Sequence, residues 1–104
     1  MGARRKKYKI ATFYKFVTLP HDRLHELKET VRDQMKSADL VGTVILAEEG
    51  VNSTICGEAR EIDRFTVNLS EMLGGPIKPK YSYSSDLPFR KVDVKIKPEI
   101  VTLK

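Results

Sequence analysis

The sequence has no tryptophan, a single cysteine, and no apolar run near the roughly 20 residues that a bilayer span requires. Cys56 therefore has no partner for an internal disulfide, and a membrane-spanning helix is excluded. No charged, apolar and small-residue leader precedes the first β-prone stretch, so the expected compartment is a reducing cytoplasm. Glycine and proline are sparse, at six and five, and low-complexity segments and internal repeats are absent. What is present suits one small domain. A chain of 104 residues can bury about two-thirds of the surface it exposes when unfolded, enough for a two-layer core that needs neither metal nor disulfide.

Charge is plentiful but segregated. The net charge is +5, yet residues 1–9 hold five bases and no acid, and residues 10–77 hold seven bases against eleven acids. Residues 78–104 return seven bases against three acids. Both ends are basic around an acidic middle, which points to a surface that meets a polyanion, most simply nucleic acid. A solvated terminus is the plainer use of Arg4, Arg5, Lys6 and Lys7.

Hydrophobic periodicity sets the expected elements. Tyr8 to Val17, aromatic and β-branched without a breaker, reads as a strand. Leu24, Leu27, Val31 and Met35 recur at helical spacing after Pro20 and Asp22, which predicts a helix over about 20–37. Val41 to Ala47 and Val51 to Cys56, parted by Glu49-Gly50, form a hairpin. Ile62, Phe65, Leu69 and Leu73 make a second helix over about 58–73, ended by Gly74-Gly75-Pro76. The stretch from Ile77 to Pro88 reads as irregular, with Tyr81 and Tyr83 able to alternate in a short extended piece. Val92, Val94 and Ile96 then alternate with Lys91, Asp93, Lys95 and Lys97, the pattern of an edge strand with one wet face.

The order β-α-β-β-α-β predicts an α+β, ferredoxin-like sandwich: a four-stranded antiparallel sheet with both helices on one face. In that arrangement the first and last strands are neighbours. Burying Ile10, Tyr14 and Phe16 with Val92, Val94 and Ile96 leaves Lys9, Phe13, Lys15, Lys91, Lys95 and Lys97 on the open face. That face is expected to be basic with one aromatic.

Several chemistries are excluded by what the residues fail to supply. Val51 to Cys56 offers no aromatic on which an RNA-recognition motif would stack bases. The turn Val17-Thr18-Leu19-Pro20 lacks the glycine, the arginine and the full set of amide donors of a phosphate cradle. His21 and His25 stand one helical turn apart with no third ligand, so no metal site is expected and both read as helix surface. Cys56-Gly57-Glu58-Ala59-Arg60 is faintly like a sulfur-transfer loop, but no base stands near it and a small buried hydrophobe is the expected role of Cys56. Glu48 and Glu49 beside Gly50 and Asn52 suit a hairpin tip.

Two longer motifs carry a resemblance. Gly42-Thr43-Val44-Ile45-Leu46-Ala47-Glu48-Glu49-Gly50-Val51-Asn52-Ser53-Thr54-Ile55-Cys56-Gly57, with Ile62-Asp63 beyond it, is similar to the G-T-I-L-L-A-x-E-G-I-N-G-T-I-x-G run of a bacterial rhodanese-related family. Pro88-Phe89-Arg90 through Val92, Val94 and Lys95 to Glu99-Ile100-Val101-Thr102-Leu103 resembles that family's P-F-x-x-x-x-V-K-x-K-x-E-I-V-T-L ending. Tyr14-Lys15-Phe16 adds to the likeness. Val51, Ser53 and Cys56 depart from the pattern, and Ser53 in place of glycine implies no positive φ at that position. The family is the tRNA uridine hydroxylases, which convert the wobble uridine to 5-hydroxyuridine in an oxygen-dependent reaction.

The resemblance implies an acylphosphatase-like first domain followed by a rhodanese domain that bears the active Cys. The expected organisation is a basic tail over 1–7, a ferredoxin-like domain over 8–97, and over 98–104 the start of a linker to that second domain. No catalytic residue and no bound cofactor are expected here, and the enzyme's cofactor is unknown. The expected partners are tRNA and the rhodanese domain, with no membrane. Arg4, Arg5, Lys6, Lys7, Lys9, Lys15, Lys91, Lys95 and Lys97 are the candidate RNA contacts, and Glu49, Gly50, Asn52, Pro88, Phe89 and Arg90 mark the family's motif loops. The alternative is a structural or protein-interaction module without affinity for RNA.

Overall fold

A computed structural model describes residues 8–86 and 91–98, so the basic stretch 1–7, the Pro88-Phe89-Arg90 motif and residues 99–104 of the expected linker lie outside the described residues. The chain runs β1 (Tyr8–Phe16), a single 3-10 turn (His21–Arg23), α1 (Leu24–Ser37), β2 (Val41–Ala47), β3 (Gly50–Glu58), α2 (Ala59–Leu73), β4 (Lys80–Ser84) and β5 (Val92–Ile96). Both helices, the hairpin and the first and last strands fall where periodicity places them. The stretch read as irregular contributes β4 around Tyr81 and Tyr83, the residues able to alternate in a short extended piece.

That strand changes the topology. The sheet has five strands, not four, in the order β4-β1-β3-β2-β5. Antiparallel β4 takes the place beside β1 that was expected of Val92–Ile96, with Lys80 opposite Thr12 and Ser82 opposite Ile10. β5 crosses to the other edge and pairs in parallel with β2, Val94 beside Val44 and Ile96 beside Leu46. Short and largely exposed, β4 carries two tyrosines in five residues and no apolar aliphatic side chain, so no core-facing stripe announces it in sequence.

The core lies between the sheet and the helices. Val31 and Met35 from α1 and Ile62, Phe65, Leu69 and Leu73 from α2 pack against Ala11, Phe13, Val44, Leu46, Val51, Ile55 and Val94. α2 ends where Gly74 adopts φ 80°, with its amide and that of Gly75 donating to the Glu71 and Ser70 carbonyls. Ser53 keeps ordinary extended backbone; Asp39 is the one non-glycine residue with positive φ among the described residues.

The face of β1 is the reverse of the expected one. Ala11 and Phe13 are buried under the helices, while Tyr14 and Phe16 are 62% and 61% exposed. Lys9 and Lys15 share the parity of Phe13, and both escape the core at its margins. Lys9 Nζ donates to Asp63 Oδ1 of α2 at 2.7 Å, and Lys15 Nζ reaches Gly75, just beyond the C-terminus of α2, where the helix dipole favours a cation. Ile45 lies half-buried on the open face, and Leu27 is half-buried at the core's edge.

Phe13 and Phe16, three residues apart on one strand, should answer oppositely to truncation. Phe13→Ala is expected to cost about 3–5 kcal/mol of unfolding free energy in a urea titration, and Phe16→Ala less than about 0.5 kcal/mol. Equal losses would mean that the strand faces are misassigned.

Candidate nucleic-acid interface

Directly opposed residues of neighbouring strands share a face, so the register maps the side of the sheet that the helices leave open. One row runs Lys80, Thr12, Thr54, Thr43, Asp93. The next runs Tyr14, Asn52, Ile45, Lys95, and a third runs Ser82, Ile10, Cys56, Val41. Phe16 lies opposite Gly50, which in turn faces Ala47, so no large side chain flanks its ring across β3 and β2. Tyr14 and Phe16 meet edge to face, ring centroids 5.8 Å apart and planes 78° apart. The open face is therefore an aromatic pair and a band of hydroxyls, with lysines toward both edges.

Among the described residues, the candidate RNA-contacting lysines do not form one surface. Lys91, Lys95 and Lys97 are exposed along β5, with Lys95 Nζ 3.3 Å from Asp93 Oδ2. Lys9 and Lys15 lie across the sheet on the helix side. The Lys9 side chain is only 13% exposed, and its Nζ sits 4.1 Å from the centre of the Tyr81 ring as well as on Asp63. The Asp63 hydrogen bond pushes its pKa above the ordinary lysine value, with partial burial opposing. The stabilisation from this contact is thus full below the ordinary lysine range and fades as pH climbs through the raised value. Such an ammonium is already committed to the fold, which argues against Lys9 as a free phosphate contact.

The turn after β1 is tied to the hairpin by its own amides. In the segment between β1 and α1, the Val17 amide donates to the Glu49 carbonyl at 3.0 Å and the Leu19 amide to the Glu48 carbonyl at 2.8 Å, while Pro20 has no amide hydrogen. Two amides of this segment are thus used in tying it to the hairpin tip. His21 Nδ1 and Glu48 Oε2 add a 2.8 Å contact across the same junction. Among the described residues, no three His, Cys, Asp or Glu side chains gather to hold a metal, and no helix is long and apolar enough to cross a membrane.

Sequence reasoning missed Tyr14 and Phe16 as surface residues. The signal available was Ala11, a small residue suited to lie under a helix and of the same parity as Phe13. The two lysines of that parity outweighed it. Cys56 is fully buried between Ile10 and Val41, as its reading as a small hydrophobe requires.

Residues 8–100 match the family described as the UPF0176 acylphosphatase-like domain. The protein named tRNA uridine(34) hydroxylase from Prochlorococcus marinus strain NATL2A is 38% identical over 98 residues, covering 93% of this chain and 31% of that protein. Its namesake from Bradyrhizobium diazoefficiens is 41% identical over 100 residues, covering 91% of the chain and 38% of that protein. The chain thus spans about a third of the length of the curated relatives it matches. Among solved structures, the BLUF domain of BlrP1 superposes with a TM-score of 0.73 at 10% identity, covering 91% of this chain and 67% of that one. An acylphosphatase from Coxiella burnetii superposes with a TM-score of 0.53 at 20% identity over 88% of this chain and 93% of that one. Both likenesses establish the fold alone.

Burial pushes the Cys56 thiol above its ordinary pKa, and the Gly57 amide only partly offsets this. Native Cys56 should therefore react with iodoacetamide near pH 8 far more slowly than the same thiol in urea. Equal rates in the two states would show that the thiol is open to solvent in the folded chain, and a faster native rate that it is activated.

Proposed function

Because the chain belongs to the UPF0176 acylphosphatase-like domain family across residues 8–100, we propose that it is the N-terminal domain of an enzyme that hydroxylates the wobble uridine of tRNA to 5-hydroxyuridine in an oxygen-dependent reaction. The observation that carries this reading is the match, over more than nine-tenths of the chain, to relatives named tRNA uridine(34) hydroxylase at 38–41% identity. In this reading residues 1–7 are a basic tail, 8–97 the folded domain, and 98–104 the start of a linker to a rhodanese domain that bears the active Cys. The enzyme works in the cytoplasm. The oxidative chemistry belongs to the part of the polypeptide beyond this domain, which supplies no catalytic residue and binds no cofactor.

Holding tRNA is the domain's own contribution. Support comes from the net charge of +5 and from Lys91, Lys95 and Lys97, three exposed bases on one strand edge. Arg4, Arg5, Lys6 and Lys7 add charge that no acid in residues 1–9 offsets. Contacts of this kind neutralise phosphates and position the RNA without reading its bases.

Counterion release gives this reading a measurable form. The chain should bind tRNA with a Kd of about 10⁻⁴ to 10⁻⁶ M, and log affinity should fall with log salt by about 0.7 to 0.9 per phosphate neutralised. Deleting residues 2–7 should flatten that slope by about two to four units, and reversing the charge of Lys91, Lys95 and Lys97 in the shortened chain should abolish what remains. Undetectable binding at low salt would leave a structural or protein-interaction module instead.

A further inference from the structure

The open sheet face is unlike either a solvated surface or a protein interface. Tyr14 and Phe16 stand on β1, next to the central strand, more than half exposed and set at right angles to one another. A soluble sheet face has no packing reason to display two rings there. Yet the row beside Tyr14 is wholly polar across five strands, Lys80, Thr12, Thr54, Thr43 and Asp93, and it divides the apolar residues into two small groups. A protein partner covering this face would have to satisfy three threonine hydroxyls across its middle and a charge at either edge.

A nucleic-acid strand suits this arrangement. Bases present π-faces to the rings, while their edges and sugars offer hydrogen-bonding groups to hydroxyls, and phosphates need cations at the rim. Lys95 shares the row of Tyr14, three strands away, or about 14 Å at the usual strand spacing. Lys80 stands on β4, next to β1 on the other side. The ring platform is thus bracketed by cations at both edges of the sheet. RNA-recognition motifs place stacking aromatics on a ferredoxin-like sheet in the same sense. Here the strand equivalent to their aromatic third strand, β3, carries none, and β1 supplies both rings.

We infer that this face is a stacking platform for one or two unpaired bases of an RNA loop, with Tyr14 and Phe16 as the stacking residues and Lys80 and Lys95 holding the flanking phosphates. The inference rests on the tRNA-holding reading and specifies which part of the RNA the domain grips: a single-stranded loop, not a helical stem.

The test compares two probes on the intact chain: an RNA stem–loop with an unpaired uridine-containing loop, and a fully paired duplex of the same stem. Tyr14→Leu should weaken stem–loop binding about five- to 150-fold, the range expected for losing one base–aromatic stack, with Phe16→Leu acting in the same direction. Tyr14→Phe, which keeps the π-face, should stay within about twofold. Duplex affinity and the salt slope should not change in any of the three, because phosphate contacts are untouched. Urea midpoints equal to that of the unsubstituted chain establish that the exposed substitutions leave the fold intact. If the Leu variants bind the stem–loop as tightly as the unsubstituted chain, or if loop and duplex bind equally, the platform does not exist even though salt-dependent binding persists. If those variants instead lose association with the remaining length of the enzyme while RNA affinity holds, the face is a protein interface and the inference falls. Absence of binding to either probe at low salt overturns the tRNA-holding reading itself.

Discussion

The pairing of β1 with β3 governs everything else in this molecule. Nine consecutive residues of β1 lie opposite β3, from Tyr8 against Glu58 to Phe16 against Gly50. Because side chains alternate, one register decides at a stroke which half of β1 meets the helices and which half meets solvent. Glycine pins that register at its end. A Cβ on Gly50 would stand 2.0 Å from the Lys15 carbonyl oxygen, and the residue's φ of 148° is one that L side chains rarely adopt. Sliding the hairpin by one residue would drive a side chain into backbone and would also turn Ile55 and Val51 out of the core.

From that register the two surfaces acquire separate tasks. The inner one is filled by α1 and α2, whose apolar stripes require a sheet face of Ala11, Phe13, Val44, Val51, Ile55 and Val94. The outer one inherits whatever alternation leaves over, which here is an aromatic pair, threonines and lysines. The placing of β4 and β5 at opposite edges then sets where cations stand relative to those rings. Had β5 paired with β1, as a four-stranded sheet demands, Lys91, Lys95 and Lys97 would crowd against Tyr14 and Phe16. With β5 against β2 they stand across the sheet, at a distance that suits an extended ligand better than a compact anion.

The fold is like that of an acylphosphatase, and here the segment after β1 has a task of its own. The segment after β1 spends the Val17 and Leu19 amides on Glu49 and Glu48, so the turn serves to brace the hairpin. Cys56 is buried between Ile10 and Val41. What the domain has to offer is surface, and the surface with the least structural justification is the open sheet.

Much of this was legible in the chain. Both helices follow from apolar residues three and four apart, the hairpin from its glutamate-glycine turn, β5 from strict alternation, and the family from two long motifs. These are local signals, each written within a dozen or so neighbouring residues. The faces of β1 were not legible, because Lys9 and Lys15 mark the same parity as Phe13 and suggest a wet side. Only the packed structure supplies Asp63 and the end of α2 as partners that let those lysines lie on the helix side. Nor could the sequence place β4 beside β1 and β5 beside β2. Strand partnership is settled by hydrogen bonds between residues far apart in the chain, and the candidate stacking surface exists only once that partnership and the parity of β1 are set together.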